Sequence, residues 1–346
     1  MQADRARIAD IAARILDMER ALLALRHEGA LIQERLDSFK YPILTLPNEI
    51  TSEIFTHFLP GTRDIALSTP VLWRAIGVST AGMTTQLLES WLTRAGQCLL
   101  SIKMGDDYRL GDCLSQFLPA IVARRACWEH LEIIIKPAGL AFLEIGMPSL
   151  RCLQLELIAI QAASAPYIFE FCEAPLLRTA TLNYIAAAAI VLPWAQLTSL
   201  VLKHMLPQEY APILKQTVNL VHCELICYSE PGVTDDETIN LVFLESLLLI
   251  TPDGDGAGAA SEYLNRFILP SLRTLQAPEE FLGAYPIGIL TSFISRSACQ
   301  LQNVCITGLR STSKAVYRTT FSSIPNFIFN EDPTISYHNE DAGGGE

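Results

Sequence analysis

Residues 177–202 read LRTATLNYIAAAAIVLPWAQLTSLVL. The stretch opens and closes on one phrase: an apolar anchor, two variable residues, then two apolar positions separated by one residue. Leu177, Ala180 and Leu182 fill it first, and Leu197, Leu200 and Leu202 fill it again. Apolar residues recurring at every second position mark a strand with one buried face. The alanine-rich run and Pro193 between the two phrases mark a return segment, because proline cannot sit inside a central strand. The stretch therefore reads strand, return, strand.

Working outward, the phrase recurs along most of the chain. WEHLEI begins at Trp128, LRCLQL at Leu150, LVHCEL at Leu220, LESLLL at Leu244, LRTLQA at Leu272 and LQNVCI at Leu301. CLLSIKM, from Cys98, is an earlier and less regular strand. Successive starts from Trp128 onward are spaced by roughly 20 to 29 residues, which is the period of leucine-rich repeats. One strand with one return segment cannot bury its apolar face alone, so neighbours must stack. Pro148, Pro175, Pro193 and Pro270 punctuate the phrases, and PYIFEFC (from Pro166) and EYLNRFI (from Glu262) are expected to be return helices. A mixed α/β globule with several leucine-rich strands is the alternative.

In a repeat array the residues flanking the inner anchors share the exposed, concave face. This register selects Glu132 and Ile134, Gln154 and Glu156, Thr181 and Asn183, Val201 and Lys203, Glu224 and Ile226, Leu248 and Ile250, Gln276 and Thr307. Of these, Glu132, Gln154, Glu156, Asn183, Lys203 and Glu224 are the candidate target-binding residues. The mixture of apolar, polar and acidic groups suits a protein partner.

The chain has 346 residues, 50% of them hydrophobic and 18% charged, so most of it can fold around a substantial core. A net charge of -12, with no compensating Lys/Arg run, argues against a phosphate backbone as partner. The opening MQADRARIAD has no apolar signal core, which leads to the expectation of a cytoplasmic or nuclear protein. YIAAAAIVLPWA, Tyr184 to Ala195, is too short to span a bilayer.

Nine cysteines are scattered through the chain and are expected to be buried free thiols. Cys223 and Cys227 beside His222 lack the further close pair that a zinc site needs. The run Gly254-Asp255-Gly256 to Ala259 stands after a strand and before a helix, with Glu279 some distance on. It satisfies the loose dinucleotide fingerprint. Asp253 and Asp255 place negative charge where a pyrophosphate would sit, and too little chain follows for a doubly wound sheet. A loop inserted in one repeat is the reading adopted. No cofactor, metal or catalytic residue is expected, and H-E-x-x-H, G-x-S-x-G and the phosphate-loop motif do not occur.

Towards the N-terminus, Ile8, Ile11, Ile15, Met18, Leu22, Leu25, Ile32 and Leu36 alternate in steps of three and four. Two readings stand: a coiled coil that dimerises through residues 8–39, or one amphipathic helix lying on the body. Further on, Pro47 suits a first helical turn. Ile50, Ile54, Phe55, Phe58 and Leu59 then fall on one face, until Pro60-Gly61 ends the helix.

LPNEITSEIFTHFL, Leu46 to Leu59, with ALSTPVLW after it, resembles an F-box, and the whole arrangement resembles the F-box-like proteins of mushroom-forming fungi. In that family a heptad-patterned leader precedes the F-box and irregular leucine-rich repeats follow. The resemblance implies a substrate receptor that joins a protein target to a Skp-family adaptor of a cullin ubiquitin ligase. Leu46, Pro47, Ile50, Ile54, Phe55 and Leu59 would contact the adaptor, and Trp73 would pack in the module's closing stretch. This chain departs from the family between Leu59 and Arg63, where Pro60-Gly61-Thr62 stands in place of a middle helix. Three residues are less than one helical turn. A repeat scaffold that has lost adaptor binding is the alternative.

The expected α/β architecture is thus a heptad-patterned helix over 1–40, a truncated F-box-like segment over 41–80, an irregular leucine-rich-repeat solenoid (an α/β horseshoe) over 81–330, and a disordered tail over 331–346.

Overall fold

A computed structural model of the chain describes residues 67, 69–78, 83–105, 116–137, 140, 146–158, 169–171, 173–227, 238–251, 263–308 and 310–330. All but Leu67 lie in the second of two units into which the chain divides, Thr69–Glu346. The heptad segment, the helix expected over 47–59, the loop at 254–259 and the tail lie outside the described residues.

The strands, in chain order, are β1 (Ala75–Val78), β2 (Leu100–Gly105), β3 (Trp128–Ile135), β4 (Cys152–Leu157), β5 (Phe169–Glu170), β6 (Thr179–Asn183), β7 (Ile190–Val191) and β8 (Ser199–Met205). They continue as β9 (His222–Cys227), β10 (Ile239–Asn240), β11 (Ser246–Ile250), β12 (Phe267–Ile268), β13 (Thr274–Pro278), β14 (Asn303–Thr307) and β15 (Asn326–Asn330). Every repeated phrase of the sequence is one of these strands. Eleven of them form one parallel sheet in the order β1-β2-β3-β4-β6-β8-β9-β11-β13-β14-β15, which is the order of the chain. The fold is α/β, and the sheet is open.

Alternation fixes which face is buried. The first anchors Leu150, Leu177, Leu197, Leu220, Leu244 and Leu272 are almost wholly inaccessible, as are the second and third anchors such as Leu153 and Leu155, Leu200 and Leu202, or Leu247 and Leu249. Burying one such side chain stabilises by about 1.5–3 kcal/mol. A one-residue slip in pairing would turn the whole set to solvent, so the register is strongly specified. The residue before each strand is also tied to its counterpart: Thr198 N–H donates to Arg178 O at 2.9 Å, Val221 N–H to Thr198 O at 2.9 Å, and Glu245 N–H to Val221 O at 2.9 Å.

The return segments differ from the sequence expectation in two places. PYIFEFC and EYLNRFI are not the expected helices: Phe169–Glu170 is a two-residue strand, and Tyr263–Arg266 is a 3-10 turn leading into Phe267–Ile268. These short strands pair in parallel, Phe169 with Ile190 and Ile239 with Phe267, from one return segment to another. Two or three β-favouring residues per return are too few for a helical nucleus but enough for a ribbon.

The α-helices with bounds among the described residues are α1 (Thr85–Ala95), α2 (Leu118–Val122), α3 (Tyr184–Ala189), α4 (Pro207–Gln216), α5 (Pro286–Ser297) and α6 (Lys314–Thr320). Their ends follow local chemistry, since a side-chain oxygen can satisfy a backbone N–H that the first turn leaves unpaired. The hydroxyl of Thr84 accepts from Leu87 N–H at 3.2 Å at the start of α1, and the Glu209 carboxylate accepts from Leu206 N–H at 2.7 Å at the start of α4. The alanine-rich run between Tyr184 and Pro193 forms α3. Among the described residues no helix is long and apolar enough to cross a membrane.

Each end of the sheet carries aromatic packing. At the first strand, Trp73 stands edge-on to Trp91 of α1, with ring centroids 5.4 Å apart, and the Arg94 guanidinium lies 4.7 Å from the Trp73 ring. At the last, Tyr317 and Phe321 pack with Phe327 and Phe329 of β15.

Candidate functional site

The sheet face away from the return segments is the candidate surface. Three rows of side chains cross it, each in register from strand to strand. The first row runs Ser101, His130, Cys152, Thr179, Ser199, His222, Ser246, Thr274, Asn303 and Asn326. The second runs Lys103, Glu132, Gln154, Thr181, Val201, Glu224, Leu248, Gln276, Cys305 and Ile328. The third includes Ile134 and Glu156, then Asn183, Lys203, Ile226 and Ile250, then Pro278, Thr307 and Asn330.

All six target-binding candidates fall on this face. Glu132, Gln154 and Glu224 occupy the middle row, where partial exposure leaves them available to a partner. Lys103 Nζ lies 3.2 Å from Glu132 Oε1, and Gln154 Nε2 donates to the same oxygen at 3.4 Å. Adjacent strands thus cross-link their side chains. Burial pushes the Glu224 carboxyl above its ordinary value, while the neighbouring Lys203 ammonium partly opposes the shift, because desolvation penalises the charged form and an opposite charge favours it. Burial, reinforced by the Glu132 charge, likewise raises the Cys152 thiol.

Asn183 differs from the rest of the six. It is only 8% exposed, and its amide is consumed by the framework. Oδ1 accepts from Ala186 N–H at 3.0 Å, which caps α3, and from Leu157 N–H at 3.2 Å; Nδ2 donates to Leu157 O at 2.9 Å. The β4–β6 pairing ends at Leu155↔Leu182, and the Asn183 side chain continues that ladder by one peptide. Ile226, Ile250 and Thr307 of the same row are also buried. Here the strands end and the chain turns away, so from β6 onward only the first two rows stay open, apart from the partly exposed Lys203 and Asn330.

Residues that the sequence reading passes over add a charged cluster beside the first row. The Glu129 carboxylate is held by Arg74 at 2.7 Å and by Arg151 at 3.5 Å, with His130 Nδ1 at 3.9 Å. The cluster joins the approaches to β1 and β4 with β3. It is legible only with β1 in the register, whereas the sequence reading gives Arg74 to the F-box-like segment. Charge on the face is zoned. Open-face positions of β2, β3, β4, β8 and β9 carry Lys103, Glu132, Glu156, Lys203 and Glu224, whereas those of β11, β13, β14 and β15 carry no Lys, Arg, Asp or Glu. Amide ladders take over there: Asn326 Nδ2 donates to Asn303 Oδ1 at 2.8 Å, and Asn303 Nδ2 to Thr274 Oγ1 at 3.3 Å.

Cys223 and Cys227 point into the core with fully buried thiols, while His222 is exposed on the opposite face, so the three cannot converge on one ion. Among the described residues no three His, Cys, Asp or Glu side chains are grouped to hold a metal. Of the adaptor-binding candidates, Leu46, Pro47, Ile50, Ile54, Phe55 and Leu59 lie outside the described residues. Trp73 is described, and it packs on α1 as part of the sheet unit.

No protein-family model matches the chain, and no curated protein matches it.

Proposed function

We propose that the chain is a non-enzymatic protein-binding receptor, an irregular leucine-rich-repeat solenoid of horseshoe type that holds a protein target against its open sheet face. The reading rests above all on one observation: among the described residues, eleven parallel strands pair in chain order, most of them carrying the same phrase, with one face covered by the returns and the other left open. Glu132, Gln154, Glu156, Lys203 and Glu224 serve as target contacts, and Asn183 serves the framework. By the resemblance at Leu46–Leu59, the same chain presents its target to a Skp-family adaptor of a cullin ubiquitin ligase, in the cytoplasm or nucleus.

A second reading, a scaffold without adaptor binding, draws on two observations. Only Pro60-Gly61-Thr62 separates the two parts of the F-box-like motif. Trp73, which the motif would use to close, is already packed against Trp91. Co-purification of the full chain with the Skp-family adaptor distinguishes the two. Binding that is lost on Ile54→Asp with Phe55→Asp supports the receptor, and absence of binding by the unaltered chain supports the scaffold. Target capture that survives Glu132→Lys with Glu224→Lys, in a protein of unchanged melting temperature, would overturn the open face as the binding surface.

A further inference from the structure

Where the strands begin, the chain forms a rim beside the open face. Arg178 N–H donates to Arg151 O at 2.9 Å and Arg151 N–H to Glu129 O at 2.8 Å. Glu129 of β3 and the residues just before β4 and β6 therefore stand side by side. Arg74, just before β1, reaches across β2 to the same place, with Nη2 2.7 Å from Glu129 Oε2. Three arginines thus meet one carboxylate in a chain of net charge -12. Arg151 touches that carboxylate only through Nε, at 3.5 Å, and its side chain is 58% exposed. Arg178 is exposed as well, and among the described residues it forms no ion pair. Its Nη1 donates to Leu177 O at 2.9 Å and Pro175 O at 3.3 Å, which holds the head in place while Nε and Nη2 stay available. His130 Nδ1 lies 3.9 Å from Glu129 on the open side. The Glu173 carboxylate, on the approach to β6, packs over Gly146 instead. Further along the rim, Thr198 and Val221 separate Arg178 from Glu245.

We propose that Arg74, Arg151 and Arg178 form a docking row for an acidic segment of the protein target, a run of Asp or Glu side chains laid along this rim. Charge complementarity selects the sign of the partner. Length selects its form. From Arg74 to Arg178 the rim crosses β1, β2, β3, β4 and β6, about 19 Å at the usual spacing of paired strands, which is the length of about six extended residues. A row of that length suits successive carboxylates better than one isolated anion. Nucleic acid is the poorer occupant, because Glu132, Glu156 and Glu224 on the adjoining face repel a phosphate backbone. The target then has a polarity: its acidic part lies over the start of β4 and β6, and its neutral or basic part lies over the middle row. This partner class rests on the reading of the open face as the target surface, whose own test is Glu132→Lys with Glu224→Lys.

Fluorescence anisotropy of the full chain at low ionic strength, with labelled hexaglutamate as the probe, tests the proposal. Arg151→Gln with Arg178→Gln should weaken binding roughly fivefold or more. Arg273→Gln with Lys215→Gln removes two charges elsewhere on the sheet unit and should change it less than roughly twofold. Arg151→Lys with Arg178→Lys should keep binding within roughly threefold, which separates lost charge from lost structure. Equal effects of the two glutamine pairs would overturn the proposal, as would no binding of hexaglutamate by the unaltered chain. So would hexalysine, or an oligothymidylate of six nucleotides, binding as tightly as hexaglutamate. If the peptide titration fails while Glu132→Lys with Glu224→Lys still abolishes target capture, the acidic segment falls and the receptor stands.

Discussion

Replacing Asn183 with alanine separates a framework role from a binding role in one measurement. The substitution removes the cap of α3, which contributes about 1 kcal/mol. It also strands the N–H and C=O of Leu157 beyond the end of the β4–β6 ladder, at about 1–3 kcal/mol for buried groups left without partners. The sum is about 3 kcal/mol, and equilibrium urea unfolding should show it directly. For a unit of this size it corresponds to a fall of roughly 6–12 °C in melting temperature. Asn183→Asp gives an internal check. A carboxylate still accepts from Ala186 and Leu157 N–H but faces Leu157 O with a second acceptor, whereas the protonated acid can donate there. The two N–H donors favour that carboxylate and the single carbonyl disfavours it, so Asn183→Asp should keep the α3 cap and lose less stability than Asn183→Ala in the same urea titration. A loss below about 1 kcal/mol for Asn183→Ala would refute the reasoning, because a residue with a free, surface-facing amide behaves that way.

Three further outcomes follow from the same geometry. Leu200→Ala should destabilise by about 2–5 kcal/mol while its neighbour Val201→Thr stays within about 1 kcal/mol, since only the first lies on the covered face; similar losses in thermal melts would contradict the register. Burial holds the Glu224 carboxyl above its ordinary value of 4.5, so its protonated form is favoured on folding and that contribution is lost as pH rises through the raised value. Glu224→Gln should accordingly stabilise the protein at pH 7 and make little difference at pH 4, as measured by denaturant midpoints. Burial pushes the Cys227 thiol up to about 12 and raises Cys223 as well, so a disulfide reagent should modify both only as the chain unfolds; mass mapping that finds either labelled as fast as Cys98 in the native protein would count against their placement.

The leucine phrase carries the sheet into view because it states both which residues go inward and how far apart the strands lie. Two strands escape it for a reason now visible. Trp73, Ile76 and Val78 of the first, and Ile324, Phe327 and Phe329 of the last, occupy the same three positions without leucine. In the first, the motif resemblance claims Trp73; in the last, Pro325 interrupts the phrase between its anchor and the strand. The candidate surface is legible to the same extent, since alternation alone puts Glu132, Gln154 and Glu224 on the open face. What alternation does not report is where a row closes over. Asn183 has the right parity and the wrong depth, because helix capping is decided by the residues that follow it. The Glu129 cluster joins side chains of β3 to others from the approaches to β1 and β4, and no local pattern joins them.

Among the described residues, each strand's partners in the sheet are its nearest counterparts along the chain, with no pairing that skips across. Pulled by its two ends, such a sheet has no clamp in the middle that must break first. Strands can peel from either edge one at a time, each freeing one repeat of chain, or roughly 70–100 Å of slack. The chain then behaves less like a knot than like a folded tape, releasing length in near-equal steps under load.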